Sequence, residues 1–468
     1  MSFVPYPNYK DSGNKAVGLV PEHWPIKRLR FVAEINPSKS EVAHWPDSTE
    51  VGFFPMEAVG DDHSLSNGQR RELAELRSGY TYFREGDVTF AKITPCFENG
   101  KGALMRPLPT PFGFGSTELT VLRGMPEHLD ERFLYMLTTS EPFRSYGEAS
   151  MYGAGGQKRV PDDFVRDFVI GLPDTREQNR IVAFLDHETD KIDALVEEQK
   201  RLIALLKEKR QAVISHAVTK GLDPNVPMKD SGVEWLGHIP HTWKTTRLKH
   251  LSTAIVDCPH ETPIYNSSGK YFVIRTADIE RGTLESTQMY RVTLDQYLSR
   301  TRRSKLQKND IVYGREGERW GHAALVPESD KFCLGQRMMQ FSVNNTFDAD
   351  YVMWQLNSAN IFRQGETDTV GATSPHVNVE TIRNFRMAAP PLAEQKAIGS
   401  YLRNTCARID SMMESASGAI HLLAERRSAL ISAAVTGKID VRNWMPSDSS
   451  ADLEQPLPMA AETPASYG

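Results

Sequence analysis

The sequence predicts an α+β fold with two pseudo-repeated mixed α/β domains joined by two long helices that form an antiparallel coiled coil. One observation is an internal repeat, because Lys10–Gly13 returns letter for letter as Lys229–Gly232. The repeat covers half the chain, whereas solenoid units are about 20–50 residues long, so whole domains are repeated. The others are heptad-spaced apolar residues in each half and, before them, short β-branched and aromatic runs broken by Gly and Pro.

Each half begins with a similar opening segment, 1–30 in the first half and 221–249 in the second. Pro21 and Trp24 return as Pro240 and Trp243, at the same spacing as the Lys-Asp-Ser-Gly motif. Because these segments stay alike while the residues behind them diverge, they are predicted to belong to a common scaffold.

The middle segments, 31–172 and 250–389, are predicted to be globular domains with long surface loops. Phe112–Gly115 looks superficially like a cofactor-binding glycine string, but it lacks a strand-to-helix context, so a turn is predicted there. Three short anchors keep the domains in register: Gly86-Asp87-Val88 with Asn309-Asp310-Ile311, Ser116–Glu118 with Gly335–Arg337, and Pro142–Arg144 with Asn360–Arg363.

Two long helical segments, 173–220 and 390–440, follow the domains. Each begins with Pro-x-x-x-Glu-Gln, and the helices are predicted over Arg176–Val218 and Ala393–Val435. Gly399 and Gly418 each weaken the second helix by about 1 kcal/mol relative to Ala, so packing must offset them. The apolar positions predicted to face the other helix are Ile181, Leu185, Ile192, Leu195, Leu202, Leu206 and Val213, and then Ile398, Leu402, Ile409, Met412, Leu423 and Leu430.

Composition limits the possible functions. The chain has 468 residues, a formal net charge of −5 and a pI near 6.3, so no global basic field indicates a nucleic-acid partner. The four cysteines lack a CxxC pair, so we expect reduced thiols and no metal site. The absence of a signal peptide or a long apolar run predicts a soluble, cytoplasmic protein. The last segment, 441–468, is predicted to be disordered, because beyond Met445 it is acidic and rich in Pro, Ser and Ala.

A search for catalytic constellations finds none. Gly153–Lys158 has the wrong spacing for a phosphate loop, and no HExxH motif occurs. Asp174 and Glu198 would lie too far apart on a rigid helix to share a metal ion. The Asn-Pro-Pro-aromatic box of amino-methyltransferases is also missing from the sequence. We therefore predict no catalytic residue, no cofactor and no metal in this chain.

Local clusters of Arg, Lys, Asn and Gln suggest contact with DNA instead. These side chains neutralise phosphates and pair with base edges, although each cluster could also be an ordinary solvated surface. Their matched positions in two divergent domains favour DNA. The candidate DNA-binding residues are Arg70, Arg71, Lys92, Asn99, Lys101, Gln157, Lys158 and Arg159 in the first domain, and Arg275, Arg300, Arg302, Arg303, Lys305, Arg315, Arg319 and Trp320 in the second.

The repeated motifs resemble those of type I restriction-modification specificity subunits. The resemblance lies in the Lys-Asp-Ser-Gly opening with its Pro and Trp, the Pro-x-x-x-Glu-Gln helix start, the Ile-Asp that follows, and the Ala-Val-Thr helix end, and it spans Lys10 to Asp440. It implies two target recognition domains, 31–172 and 250–389, each reading one half of a bipartite double-stranded DNA target. The coiled coil would then fix the unread spacer. Two unlike domains predict an asymmetric target.

The resemblance also implies a non-catalytic subunit that recruits two methyltransferase subunits and, with them, restriction subunits. S-adenosylmethionine, ATP and Mg²⁺ are then expected on those partners and not on this chain. Two other hypotheses stay open. One is a stand-alone bipartite DNA-binding regulator, which the large apolar scaffold without a strongly basic face disfavours. The other is a nuclease or methyltransferase with a cryptic site.

Overall fold

The computed structural model describes residues 3–61, 64–66, 68–154, 156–284, 287–317, 319–367 and 376–445. The chain divides into two compact units, unit 1 with Met1–Glu198 and Ala419–Gly468, and unit 2 with Gln199–Gly418. Each unit therefore holds one opening segment, one domain and a part of each long helix.

The first half of the chain supplies the following elements. Its strands are β1 (Tyr9–Asp11), β2 (Leu19–Pro21), β3 (Ile26–Arg28), β4 (Ala33–Ile35), β5 (Glu50–Phe54), β6 (Gln69–Glu72), β7 (Thr81–Arg84), β8 (Val88–Ala91), β9 (Gly102–Leu104), β10 (Phe112–Gly115), β11 (Leu119–Gly124) and β12 (Val169–Gly171). Its helices are α1 (Leu73–Leu76), α2 (Glu131–Thr139), α3 (Glu141–Ala149), α4 (Asp162–Asp167) and the long α5 (Thr175–Lys220).

The second half supplies a parallel set. Its strands are β13 (Met228–Asp230), β14 (His238–Pro240), β15 (Lys244–Arg247), β16 (Ser252–Asp257), β17 (Tyr271–Ile274), β18 (Ile279–Glu280), β19 (Thr283–Leu284), β20 (Arg291–Val292), β21 (Ile311–Gly314), β22 (Ala323–Leu325), β23 (Phe332–Leu334), β24 (Met338–Val343) and β25 (Arg386–Ala389). Its helices are α6 (Leu248–Leu251), α7 (Leu294–Arg300), α8 (Ala349–Leu356), α9 (Ala359–Glu366), α10 (Val379–Arg383) and the long α11 (Leu392–Val435).

The two domains have similar strand topologies. In the first domain the sheets have the orders β4-β11-β8-β9 and β6-β5-β10-β7, and β5 and β10 run parallel. In the second the orders are β16-β24-β21-β22 and β20-β17-β23, and β17 and β23 run parallel. In both halves an antiparallel pair, β12-β3 or β15-β25, joins the end of the opening segment to the last strand of the domain. The mixed helix and strand content agrees with the predicted α+β class.

The turn before β8 and the turn before β21 explain the best-matched anchor. Gly86 and Asn309 both adopt a positive φ, 89° and 69°, which the turn requires. The next residue in each copy is a buried aspartate whose carboxylate accepts from a backbone N–H three residues earlier, at 2.8 Å for Asp87 and 2.8 Å for Asp310. The anchor is therefore a local capping motif that keeps the strands in register.

The Glu-Gln pair at the start of each long helix joins the helix to the rest of its unit. In unit 1, Glu177 accepts hydrogen bonds from Trp24 Nε1 at 3.1 Å and from the Tyr6 hydroxyl at 2.7 Å. Gln178 donates to Pro173 O at 2.9 Å and accepts from Asp130 N, at the start of α2, at 2.8 Å.

Unit 2 repeats these contacts. Trp243 Nε1 donates to Glu394 at 2.9 Å, and Gln395 bonds Pro390 O at 2.9 Å and Asp348 N at 2.8 Å. The repeated Trp, Glu and Gln are thus a packing motif, which explains why they recur together in the sequence.

Both long helices are close to their predicted bounds. In unit 1, Asp193 pairs with Arg427 at 3.5 Å while Arg180 Nη1 donates to Arg442 O at 2.7 Å. In unit 2, Arg210 pairs with Asp410 at 2.8 Å, and a Cβ on Gly221 would lie 3.1 Å from Glu394 Oε1. Within each unit the two helix segments therefore run in opposite directions.

Some predicted contact positions of the helices are wrong. Ile181, Leu185, Leu206, Ile398 and Leu402 and several others are buried, but Leu195, Leu202 and Met412 are 50%, 43% and 50% exposed. Ile181 and Leu185 belong to a core that also contains residues of the first domain, and Ile398 and Leu402 to a core with residues of the second. A two-helix contact alone would leave one side of each helix in water.

Two further expectations need correction. Phe112–Gly115 is strand β10 and not a turn, because its glycines admit neighbouring strands: a Cβ on Gly113 would lie 2.9 Å from the Phe83 ring. Within the predicted disordered tail, Val441 is buried and the Trp444 ring lies 5.4 Å from that of Phe184, so the ordered chain extends to Met445. The rest of that segment, from 446 onward, lies outside the described residues.

None of the helices in the described ranges has the length and apolarity needed to cross a bilayer.

Candidate nucleic-acid interface

One edge of the sheet β4-β11-β8-β9 gathers polar side chains in the first domain. Because β4 and β8 both run antiparallel to β11, their carboxyl ends meet the amino end of β11 at this edge. Lys92 follows β8, and its backbone N–H donates to Glu118 O at 2.8 Å, just before β11. A cleft of about 460 Å³ opens here between Asn36, Lys39, Lys92 and Thr117.

The loop from Lys92 to Lys101 forms much of this edge. Lys101 Nζ donates to Met56 O at 3.0 Å, so this cation is held against the second sheet, while Asn99 is exposed at the loop tip. Phe97 is fully buried beneath the loop and packs against α3, where a Cβ on Gly147 would lie 2.4 Å from its ring. The loop is therefore anchored from below and presents polar atoms outward.

A second segment, Gln157 to Arg159, lies beside this loop. Lys158 O accepts from Thr94 N at 3.0 Å, and Arg159 makes a two-pronged pair with Glu118 at 2.9 and 2.7 Å. This hydrogen bonding to Arg159 holds the pKa of Glu118 below its ordinary value. The structure thus brings Lys92, Asn99, Lys101, Gln157, Lys158 and Arg159 together.

Arg70 and Arg71 lie apart from that group, on edge strand β6 of the other sheet. Arg70 pairs with Glu50 at 3.7 Å, and the Arg71 guanidinium lies 4.3 Å above the Phe53 ring. Arg70 is exposed on this edge strand, and Arg71 is half-buried.

The second domain builds the equivalent edge from β16, β21 and β24. Arg315 follows β21 as Lys92 follows β8, and its N–H donates to Arg337 O at 2.9 Å. A second backbone hydrogen bond also matches, since Val160 N donates to Lys92 O at 2.8 Å and Val377 N donates to Arg315 O at 3.3 Å. The backbone hydrogen bonds at the two edges therefore match while the side chains differ.

Arg315 is held by carboxylates at this edge. Its guanidinium lies 3.5 Å from Asp257, which ends β16, and it also pairs with Glu316. Only 11% of the Arg315 side chain is exposed, so its hydrogen-bonding directions are fixed.

Three residues of this edge were missed by the sequence prediction. His260 Nε2 lies 3.0 Å from Asp257 and the side chain is 60% exposed. Gln336 Nε2 donates to His260 O at 3.4 Å, and Arg337, 52% exposed, lies 3.8 Å from Glu316. The available signal was the anchor pairing Gly335–Arg337 with Ser116–Glu118, which places Gln336 and Arg337 directly before a strand of the edge.

Arg300 and Trp320 do not have the predicted surface role. Arg300 is 8% exposed and donates to Leu334 O, Glu261 O and Pro259 O at 2.7, 3.0 and 3.3 Å. Trp320 is 7% exposed and stacks on Phe362 at 4.1 Å. Arg300 fixes the segment that carries His260, and Trp320 anchors the loop after β21 as Phe97 anchors the loop after β8.

The remaining candidates are spread over the second domain. Arg275 is paired with Asp278 at 2.6 Å, and Arg319 donates to Ala277 O at 3.0 Å. Three further candidates, Arg302, Arg303 and Lys305, are exposed but lie on the segment that leads into β21, whereas Arg315 follows its other end. Arg302, Arg303 and Lys305 are thus not brought to the edge that holds Arg315.

No group of three or more His, Cys, Asp or Glu side chains is placed to hold a metal ion in the described parts of the chain. The predicted absence of a metal, a cofactor and a catalytic residue stays a prediction.

Comparison with known proteins identifies the repeated unit. Residues 21–204 and 240–415 both match the family described as type I restriction modification DNA specificity domain. The EcoEI specificity subunit of Escherichia coli is 38% identical over 164 residues, which are 35% of this chain and 27% of that relative, so only about a quarter of its length is matched. The MjaVIII specificity subunit of Methanocaldococcus jannaschii is 22% identical, and the match covers 93% of this chain and 98% of the relative.

Two solved structures share the fold. One comes from work on complex assembly and conformational transition of the type I R-M system, with a TM-score of 0.66 and 18% identity over 90% of this chain and 99% of that chain. The other is the HsdS subunit from Thermoanaerobacter tengcongensis, with a TM-score of 0.51 and 18% identity over 90% of this chain and 98% of that chain. The two family matches occupy most of the sequence and coincide with the two copies of the fold. The chain belongs to the type I restriction-modification DNA specificity family.

Proposed function

We propose that this chain is the non-catalytic specificity subunit of a type I restriction-modification complex and that each domain reads one half of a bipartite, asymmetric DNA target. One observation carries the proposal: at the ends of β8 and β21 the two domains form the same backbone hydrogen bonds but carry different side chains. A common frame with exchangeable polar groups suits the reading of different base sequences.

The chemistry of the two edges supports an asymmetric target. The first edge offers Lys92, Asn99 and Gln157, whereas the second offers His260, Gln336 and Arg337. Amide and guanidinium groups bond adenine and guanine edges in pairs, and each good pair discriminates by about 1–3 kcal/mol. The paired positions differ as well, because Thr117 and Glu118 of the first edge correspond to Gln336 and Arg337 of the second. Different donor and acceptor sets favour different half-sites.

The long helices support the spacer role. We infer that α5 and α11 form an antiparallel coiled coil that sets the distance between the half-sites. Its half-exposed apolar residues Leu195, Leu202 and Met412 offer contact area to two methyltransferase subunits. Restriction subunits join through those partners, and S-adenosylmethionine, ATP and Mg²⁺ are bound there and not by this chain.

The test is methylome sequencing of host DNA with this gene present, deleted and mutated. We expect loss of adenine methylation at one interrupted, asymmetric motif when the gene is deleted. The double variant H260A/Q336A should relax the second half-site and leave the first intact, because both side chains belong only to the second edge. Lys270→Ala is the matched control, since this exposed residue precedes β17 away from the edge. An unchanged methylome beside an expressed methyltransferase would favour a stand-alone DNA-binding protein.

A further inference from the structure

One aromatic position of the long helices is buried in the first repeat and exposed in the second. Phe184 on α5 and Tyr401 on α11 occupy the same place relative to Glu177 and Glu394. Phe184 is 0% exposed, whereas Tyr401 is 43% exposed. The same position of a repeated helix is therefore covered in unit 1 and open in unit 2.

In unit 1, Phe3 and Trp444 provide the cover. Their rings meet Phe184 edge to face at 5.2 and 5.4 Å. The segments that carry these two rings are joined by a hydrogen bond from Asp440 N to Val4 O at 2.8 Å, and Arg180 Nη1 on α5 donates to Arg442 O at 2.7 Å. Two aromatic side chains thus fill the space above the helix pair.

In unit 2 the corresponding segment offers no such cover. It links α5 to β13, and residues 221–228 contain no aromatic side chain. The spacing that matches Lys10 with Lys229 places Leu222 where unit 1 has Phe3. An open groove of about 370 Å³ results, lined by Ala212, Val213, His216, Ala217, Leu222 and Tyr401.

The groove has the character of a protein-binding site. Leu222 and Tyr401 are 42% and 43% exposed, so the groove presents apolar side-chain surface that a partner side chain would remove from water. A tyrosine is suited to an interface, because its ring can pack against a partner while its hydroxyl stays in contact with water. A second copy of this chain is a poor occupant, since its Phe3 and Trp444 already cover its own Phe184.

We propose that the groove of unit 2 binds an aromatic side chain presented by the methyltransferase partner. The inference rests on the proposed function and deepens it, because it makes the two partner sites unequal: one partner copy gains an aromatic anchor, and the other meets a position that this chain fills itself. The occupant follows from unit 1, where the equivalent space holds aromatic rings.

The repeat supplies a matched pair of variants. Ala212→Arg places a long cation in the groove, and Ala429→Arg makes the same change at the equivalent position of α11 in unit 1. Both alanines are exposed on helices, so neither change disturbs a core. Leu222→Trp is a second variant that fills the groove with the ring type found in unit 1.

The measurement is native mass spectrometry and titration of the full chain with its purified methyltransferase subunit. We expect wild type and A429R to bind two copies with similar affinities. In A212R and L222W, one of the two copies should bind at least tenfold more weakly than it binds to wild type. Two tightly bound copies with A212R and L222W, or equal losses with A212R and A429R, would overturn the inference and leave the proposed function standing. Failure of the wild-type chain to bind the subunit at all would instead count against the proposed function.

Discussion

Arg144 holds the loop between β8 and β9 from inside the first domain. Its guanidinium donates to Phe97 O at 3.3 Å and to Gly100 O at 3.2 Å, and it lies 4.9 Å from the Phe97 ring centroid. Burial lowers the pKa of Arg144 to about 10, which still leaves it charged at neutral pH. In the second domain the equivalent position is Phe362, which stacks on Trp320.

We predict that Arg144→Met loosens this loop. Two carbonyl groups lose their donor at a net cost of about 1–2 kcal/mol, which corresponds to about tenfold faster local opening. Hydrogen exchange of residues 96–101 should accelerate, while the loop after β21 should not change. In methylome sequencing, the first half-site should become less strict and the second should not. Unaltered exchange in residues 96–101 would show that the Arg144 guanidinium does not hold the loop.

The cysteines provide a second prediction at the residue scale. Cys258, Cys333 and Cys406 are buried, and burial raises the pKa of Cys333 to about 12 and that of Cys406 to about 11. Only the thiolate reacts, so at pH 8 Cys333 and Cys406 should be alkylated at least about 100-fold more slowly than in the unfolded chain. Mass spectrometry of the native chain should find label at Cys96. Rapid labelling of Cys333 would contradict the packing of β23.

At the scale of elements, the glycines of α11 differ in what surrounds them. A Cβ on Gly399 would lie 3.2 Å from Asp350 Oδ2 and 3.3 Å from Asp348 Oδ1, at the start of α8. A Cβ on Gly418 would meet nothing within 4 Å. The first glycine permits a close approach, whereas the second only weakens the helix.

We therefore predict opposite results for two alanine substitutions. Gly418→Ala should raise the free energy of unfolding by about 1 kcal/mol, because alanine favours the helix and nothing resists the methyl group. Gly399→Ala should stabilise less or destabilise, because the start of α8 must shift. Denaturant unfolding of the two variants beside wild type gives the comparison. A larger gain from Gly399→Ala would refute the close contact with α8.

The elements also show how far sequence reasoning reaches. Both long helices and the matched loops after β8 and β21 are predictable, because periodicity and repeated anchors report on backbone geometry. The burial of Arg300 and Trp320 could not be predicted, because the local sequence does not distinguish an Arg or Trp side chain that faces water from one that packs inside the domain. The strand β10 was missed since glycine usually interrupts strands, and here it admits the Phe83 ring of the next strand.

At the scale of the whole molecule, the helices allow a test of the spacer role. We predict that deleting Leu195–Arg201 from α5 together with Ala419–Glu425 from α11 changes the spacer and not the half-sites. Seven residues are about two helical turns and about 10 Å of rise, close to three base pairs. The ion pairs Asp193–Arg427 and Arg210–Asp410 are kept, because the deleted residues lie between the two pairs and include none of their members. Methylome sequencing reads the outcome directly, and an altered half-site with an unchanged spacer would contradict the assignment.

The division of the helices between units has a genetic consequence. Unit 1 is completed by residues 419–445 from the end of the second repeat, and unit 2 by residues 199–220 from the first. A gene encoding a single repeat would therefore specify an unfinished unit. Two copies of such a product could complete one another only by exchanging helix ends, and the resulting symmetric pair would select a palindromic target. Duplication followed by fusion of such a gene would allow each half to diverge. Exchange of one domain would then give a new DNA target without any change in the helices or in the other domain.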